Sequence, residues 1–251
     1  MTAPLLHIEG LVKRFGGLRA TDGASLSVQP GEVHALIGPN GAGKTTLIHQ
    51  IAGALAPDEG HIAFAGHDIT GWAMPRRVRA GLARSYQVTN VFDRLPVRDN
   101  LALAVQARTG TSLRFWRAAR DEGERFAAAD AVAARVGLAD KLDRIAGELS
   151  HGEQRQLEVG LALATAPRLL LLDEPMAGMG PDETARMMDV LQGLRGEVAI
   201  LLVEHDMDVV FRLADRISTL VSGRVVASGT PEEIRAHPEV RRAYLGDEVP
   251  A

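Results

Sequence analysis

The spacing of apolar residues changes along this chain, and each change marks a different kind of element. Short apolar stretches separated by Gly-containing turns come first. Leu5 to Val12, Ala24 to Val28, Val33 to Ile37 and His61 to Phe64 read as strands, the last closed by a turn at Ala65-Gly66. From about Val97 to Ala166, Ala, Arg and Leu dominate. Apolar residues there fall at helical spacing, as in Leu101 and Val105, or Phe126, Val132 and Val136. This stretch reads as a helical insertion. Leu169-Leu170-Leu171-Leu172 and Val198 to Val203 are continuous apolar runs of strand length, the pattern of strands buried on both faces of a parallel sheet. Pro181 to Gly193 reads as the helix that joins them. Ile217 to Val221 and Val225 to Ala227 flank a Ser222-Gly223 turn and read as late strands. Pro231 to His237 reads as a short helix, with Thr230 as N-cap, Pro231 at the first helical position and Glu233 completing a capping box. No internal repeat and no low-complexity linker interrupts this order. The pattern predicts an α/β protein.

One segment within the pattern carries chemistry. Gly38-Pro39-Asn40-Gly41-Ala42-Gly43-Lys44-Thr45-Thr46 fits the phosphate-loop spacing G-x-x-x-x-G-K-[ST]. A strand candidate, Glu32 to Ile37, precedes it, and a helix candidate, Thr45 to Leu55, follows it. Gly38, Gly41 and Gly43 let backbone N–H groups curl around phosphate oxygens, with Asn40 and Thr46 in the same loop. The helix N-terminus adds unpaired N–H groups and partial positive charge. Lys44 is placed to reach the β- and γ-phosphates, and Thr45 to offer its hydroxyl to Mg²⁺. Lys44 is one of three lysines, with Lys13 and Lys141, in an Arg-rich chain, which suits a compact point charge.

Composition narrows the classes. With 251 residues, 46% hydrophobic and 24% charged, the chain has the balance of a soluble globular protein. A formal net charge of −4 speaks against a general nucleic-acid binder. The absence of cysteine removes disulfides, thiolate metal sites and thiol catalysis. Met1 to Glu9 lacks the basic start and long apolar core of a secretion signal. The most apolar stretch, Val159 to Leu172, is broken by Pro167 and Arg168, and no run approaches the ~20 apolar residues of a membrane helix.

Two further segments join the phosphate loop. Asp173 and Glu174 follow the Leu169 to Leu172 strand, and ligands in open α/β sheets gather at the carboxyl ends of strands. An Asp there can hold Mg²⁺, and a Glu beside it can accept a proton from an attacking water. Taken alone, two carboxylates before Pro175 are also a common surface turn. The segment Leu149-Ser150-His151-Gly152-Glu153-Gln154 opens a helix, Glu153 to Ala166, with Ser150 and Glu153 as its capping box.

In this order and spacing, Gly38 to Thr46, Leu149 to Gln154 and Leu169 to Glu174 resemble the nucleotide-binding subunit of an ABC transporter over essentially the whole chain. The resemblance implies a P-loop NTPase core with a mostly parallel sheet, an N-terminal antiparallel β subdomain and a helical subdomain. The core and β subdomain would span about 1–96 and 167–228, the helical subdomain about 97–166 and a C-terminal helical tail about 229–251. It implies ATP hydrolysis with Mg²⁺, and a head-to-tail pair of such subunits in which Ser150 and Gly152 of one cap the γ-phosphate held by the other. Gln87 matches the glutamine that senses Mg²⁺ and the attacking water. His205 matches the switch histidine at the γ-phosphate, and Phe15 matches the aromatic that stacks on adenine. Thr45, Gln87 and Asp173 would serve the metal, and Glu174, His205 and Gln87 the reaction. Two positions depart from the common pattern: His151 replaces a glycine of the signature, and Gly180 stands where the loop after Glu174 usually ends in Asp.

The segments Met176-Ala177-Gly178-Met179, Leu202 to Met207 and Ala243-Tyr244-Leu245-Gly246 resemble ATPases of branched-chain amino-acid importers. Urea-importer and lipopolysaccharide-exporter ATPases share parts of these signals. Soluble ABC ATPases of DNA repair carry a longer insertion than Ala54 to Leu149 allows, a scaffold ATPase of iron–sulfur assembly is similar in size, and intact Glu174 and His205 speak against a nucleotide-binding regulator with a dead site. The family places its subunits at the cytoplasmic face of the membrane, peripheral, on permeases that a periplasmic binding protein supplies. The basic run Arg76-Arg77-Val78-Arg79 and the segment Val88 to Asn100 lie where such subunits dock.

Overall fold

The computed structural model describes residues 3–85, 91–109 and 118–240. Gln87, residues 88–90 of the docking candidate and the ending 243–246 lie outside the described residues.

Two sheets form the framework. Strands β1 (Leu6–Phe15), β2 (Leu18–Val28), β4 (Glu59–Phe64) and β5 (His67–Asp68) make an antiparallel sheet in the order β2-β1-β4-β5. Strands β3 (Val33–Ile37), β6 (Leu82–Arg84), β7 (Leu169–Asp173), β8 (Ala199–Val203), β9 (Arg216–Val221) and β10 (Arg224–Gly229) make the second, in the order β10-β9-β3-β8-β7-β6. Its pairs are parallel except β10 on β9. The protein is thus α/β, with an N-terminal antiparallel sheet and a mostly parallel main sheet.

Every residue of β3, β7 and β8 is buried, as continuous apolar runs require. Alternate residues serve opposite cores. Leu170, Leu172, Ile200 and Leu202 pack into the cluster that also holds Leu101, Ala133 and Leu157. Leu169, Leu171, Ala199, Leu201 and Val203 pack with Leu47, Ile48 and the first sheet. A shift of one residue in register would exchange the two cores, so the register is fixed from both sides.

Helix α1 (Lys44–Ala52) follows β3. Helices α3 (Val97–Thr109), α4 (Ala118–Arg135) and α5 (His151–Ala164) pack on one another in the region expected to be helical. Arg98 joins α3 to α4 through both oxygens of Asp130, at 2.8 and 3.2 Å. Helix α6 (Pro181–Gly193) crosses from β7 to β8. Helix α7 (Met207–Leu213) starts from an Asp206 cap, and α8 (Pro231–Ala236) starts from the Thr230–Glu233 capping box.

The short helix α2 (Met74–Arg79) carries the basic run, and the structure takes Arg77 out of the exposed docking candidate. Arg77 is only 1% exposed. Its guanidinium donates to the carbonyls of Gln50 and Ile51 at 2.8 Å and of Thr70 and Trp72 at 2.9 Å. It adds a donor to the carbonyls at the end of α1, where Gln50 O also accepts from Gly53 N at 3.2 Å. Arg76 stacks on Trp72, 3.8 Å from the ring centre. Two of the basic side chains therefore fasten α2 to its own subunit.

Candidate nucleotide site

The main sheet gathers the site by register. Asp173 lies level with Val203, and Leu36 is also paired with Val203. The residues that leave β3, β7 and β8 therefore emerge side by side at one edge: Gly38, then Glu174, then Glu204 and His205. Strand β6 ends one place further out with Arg84, level with Leu171.

The loop from Gly38 to Gly43 is pressed against backbone on both sides. A Cβ on Gly38 would lie 2.2 Å from the Leu220 carbonyl, and one on Gly43 would lie 2.1 Å from that of Ala20. The fold alone requires glycine at these two positions. Lys44 turns back over the loop, donating to Gly38 O at 2.6 Å and Pro39 O at 3.1 Å. Burial holds its pKa below the ordinary lysine value, partly offset by the carboxylates of Glu174 and Asp173. Asn40, Gly41 and Thr45 are exposed and Thr46 is half-buried. At the end of β1, Phe15 is 51% exposed, so it is not a core residue.

Asp173 is buried, and burial raises its pKa above the usual carboxylate value while Arg84 opposes the rise. Its Oδ2 accepts from Arg84 Nη2 at 3.2 Å, and its Oδ1 has no hydrogen-bond partner. An acceptor so placed fits a hydrated divalent cation, because a buried oxygen without a donor is otherwise costly. Glu174 adopts φ 52°, an uncommon conformation for a non-glycine residue and one found where a site dictates the backbone. The turn is pinned by Glu174 N donating to Val203 O at 2.9 Å. Its Oε1 meets His205 Nε2 in a short hydrogen bond. Lys44, Asp173, Glu174 and His205 are thus brought together.

Ser150 and Gly152 are placed elsewhere, at the N-terminus of α5. Glu153 N donates to Ser150 Oγ at 3.3 Å and Ser150 N to Glu153 Oε2 at 2.9 Å, completing the capping box. Both residues also bond to Glu183 of α6.

Three residues of this region escaped the sequence reading. Arg84 gives no local pattern, because its partner is 89 residues away. Buried Glu204 accepts from Met176 N at 3.1 Å and His205 N at 3.2 Å, bracing the turn after Glu174, and burial raises its pKa. Glu183 did leave a signal. It stands three residues after Gly180 with Pro181 between, the arrangement recognised at Thr230.

Residues 21–177 match the family described as ABC transporter, and residues 224–250 match the family described as branched-chain amino acid ATP-binding cassette transporter. The high-affinity branched-chain amino acid transport ATP-binding protein LivG of Escherichia coli is 39% identical, covering 98% of this chain and 100% of LivG. BraF of Pseudomonas aeruginosa, with the same description, is also 39% identical over 98% of this chain and all of BraF. A probable LivG of Methanocaldococcus jannaschii is 33% identical over 98% of this chain and 99% of its own. Among solved structures, a nucleotide-free ATP-binding cassette from an ABC transporter superposes with a TM-score of 0.84 at 31% identity, covering 98% of this chain and all of that one. The ADP conformation of such a cassette gives the same figures. With the loop, the paired carboxylates and the fold in agreement, this chain belongs to the ABC transporter family as one of its ATP-binding, ATP-hydrolysing subunits.

Proposed function

We propose that this subunit powers the import of branched-chain or related hydrophobic amino acids, and that it works as one of a head-to-tail pair docked on membrane permeases. The observation that carries the chemical part is the convergence of Lys44, Asp173, Glu174 and His205 at the ends of three adjacent strands. The full-length likeness to LivG and BraF supports the cargo.

In this reading, backbone N–H groups from Gly38 to Thr46 and the Lys44 ammonium hold the phosphates, and Phe15 stacks on the base. Thr45, Asp173 and Gln87 hold Mg²⁺, which neutralises phosphate charge when bound. Glu174 takes the proton of the attacking water as its oxygen bonds to the γ-phosphorus and the bond to the β-phosphate oxygen breaks. His205 fixes the Glu174 carboxylate and contacts the γ-phosphate. Ser150 and Gly152 of the second subunit cover that phosphate from the other side.

Among the described residues no helix is long and apolar enough to cross a membrane. The subunit would sit at the inner face through its permeases. The docking surface we favour is apolar. A groove of about 270 Å³ is lined by Met74, Val78, Leu82, Leu161 and Ala162 among others. The second candidate is Phe92, 58% exposed on a loop that buried Asn100 clamps through Phe92 N at 2.8 Å, Phe92 O at 3.1 Å and Pro96 O at 3.0 Å.

Glu174→Gln tests the chemistry. It keeps a hydrogen-bonding side chain but removes the proton acceptor, so hydrolysis should fall about 10²- to 10⁴-fold while ATP stays bound. Near-normal turnover would remove Glu174 from this role.

A further inference from the structure

We infer that Glu183 occupies the phosphate seat of the signature segment within its own subunit, and that ATP must displace it before two subunits close. This rests on the paired-subunit reading above. Ser150 Oγ donates to Glu183 Oε1 at 3.1 Å and Gly152 N donates to the same oxygen at 3.2 Å. The signature therefore spends a hydroxyl and a backbone N–H, the two kinds of donor that would grip a phosphate oxygen, on a carboxylate oxygen of the same charge sign. They stand at the N-terminus of a 14-residue helix, where negative charge is favoured. The carboxylate lies close against the signature backbone: a Cβ on Gly152 would lie 2.7 Å from the carboxylate carbon.

Glu183 also receives Gly180 N on Oε2, at 3.4 Å. One carboxylate thus bridges the signature helix and the first turn of α6, which follows the loop leading from Glu174. A γ-phosphate and the Glu183 carboxylate cannot share two donors, since both are anionic. Entry of the partner's ATP requires the side chain to leave Ser150 and Gly152. It can keep Gly180 as it does so. Closure of the pair is then opposed by a contact made within each open subunit, and only a ligand with a γ-phosphate replaces it.

The test uses full-length protein carrying Glu174→Gln, whose dimer fraction is followed against ATP concentration with Mg²⁺ by analytical ultracentrifugation. Adding Glu183→Ala should lower the ATP midpoint for dimers about three- to tenfold, the worth of contacts to a solvent-exposed carboxylate. Glu183→Gln, which retains an acceptor without the charge, should lower it less. ATP affinity of the dilute monomer should not change, which a merely structural effect would not spare. An unchanged or raised midpoint in either variant would overturn the inference, since Glu183 would then be idle or part of the closed state. If Glu183→Ala does not fold, Glu183→Gln decides. If the Glu174→Gln parent forms no dimers at saturating ATP, the paired-subunit reading fails first and takes the inference with it, a result visible before Glu183 is touched.

Discussion

Replacing Arg77 with Met separates a clamp from a docking cation. The guanidinium makes four hydrogen bonds to backbone carbonyls, at 2.8 to 2.9 Å. Bonds to a charged donor contribute about 1.5–3 kcal/mol each, so four set an upper bound of about 6–12 kcal/mol. Burial pulls the Arg77 pKa from 12.5 down to about 10, a cost those per-bond figures already include, and four bonds sharing one group do not add in full. Methionine recovers some apolar contact and water rehydrates some of the carbonyls. A net loss of about 3–5 kcal/mol remains, in the range for one partner removed from a buried charged network. Urea unfolding of the isolated subunit measures it directly. Lys in place of Arg should rescue only part, because three donors on one nitrogen cannot serve four carbonyls placed around a planar fork. A loss below about 1 kcal/mol, together with failure to assemble with permeases, would return Arg77 to the surface role that its sequence suggests.

Lys44→Ala should weaken ATP binding about ten- to a hundredfold by calorimetry, because it deletes a charge-assisted phosphate contact worth roughly 1.5–3 kcal/mol; unchanged affinity would sink the phosphate-loop assignment. Phe92→Ala should leave the isolated ATPase active and reduce amino-acid uptake in vesicles reconstituted with the permeases; normal uptake would exclude the Phe92 loop from docking. Glu204→Gln tests the cost of a buried charge. Burial raises the Glu204 pKa above 4.5, so its protonated form favours folding below that value and the contribution is lost as pH rises through the folded pKa. The melting temperature of the Gln variant should therefore gain on that of wild type as pH rises from 4 towards neutrality, and a difference independent of pH would show that Glu204 is not titrating there.

The main-sheet strands were legible because burial on both faces leaves a continuous apolar run; β3, β7 and β8 lie within one residue of the runs that announced them. The β1–β2 hairpin was read short. It continues through Lys13-Arg14-Phe15 and from Leu18, where side chains face solvent and the apolar pattern stops before the pairing does. Strands β5 and β6 have two and three residues, too few for any period to show. At the site, Lys44, Asp173 and Glu174 were legible because local motifs place them. The Arg84–Asp173 pair was not, because parallel pairing of β6 with β7 brings it together across a long interval of chain. Arg77 misled for a related reason: a cation in a basic run looks solvated unless its carbonyl partners, 5 to 27 residues away, can be seen.

The two departures from the family pattern gain a common meaning once Glu183 is placed. His151 faces the loop after Glu174, its Cε1 3.5 Å from where a Cβ on Gly178 would sit. Gly180 gives its N–H to Glu183. Both departures therefore adjoin contacts made within the subunit. The donors proposed to face the partner's nucleotide, the Ser150 hydroxyl and the Gly152 N–H, keep the residue types of the pattern. At Gly152 a Cβ would meet the Glu183 carboxylate at 2.7 Å. In the proposed exchange a phosphate and that carboxylate use one seat in turn, and a residue without a side chain at position 152 leaves it room.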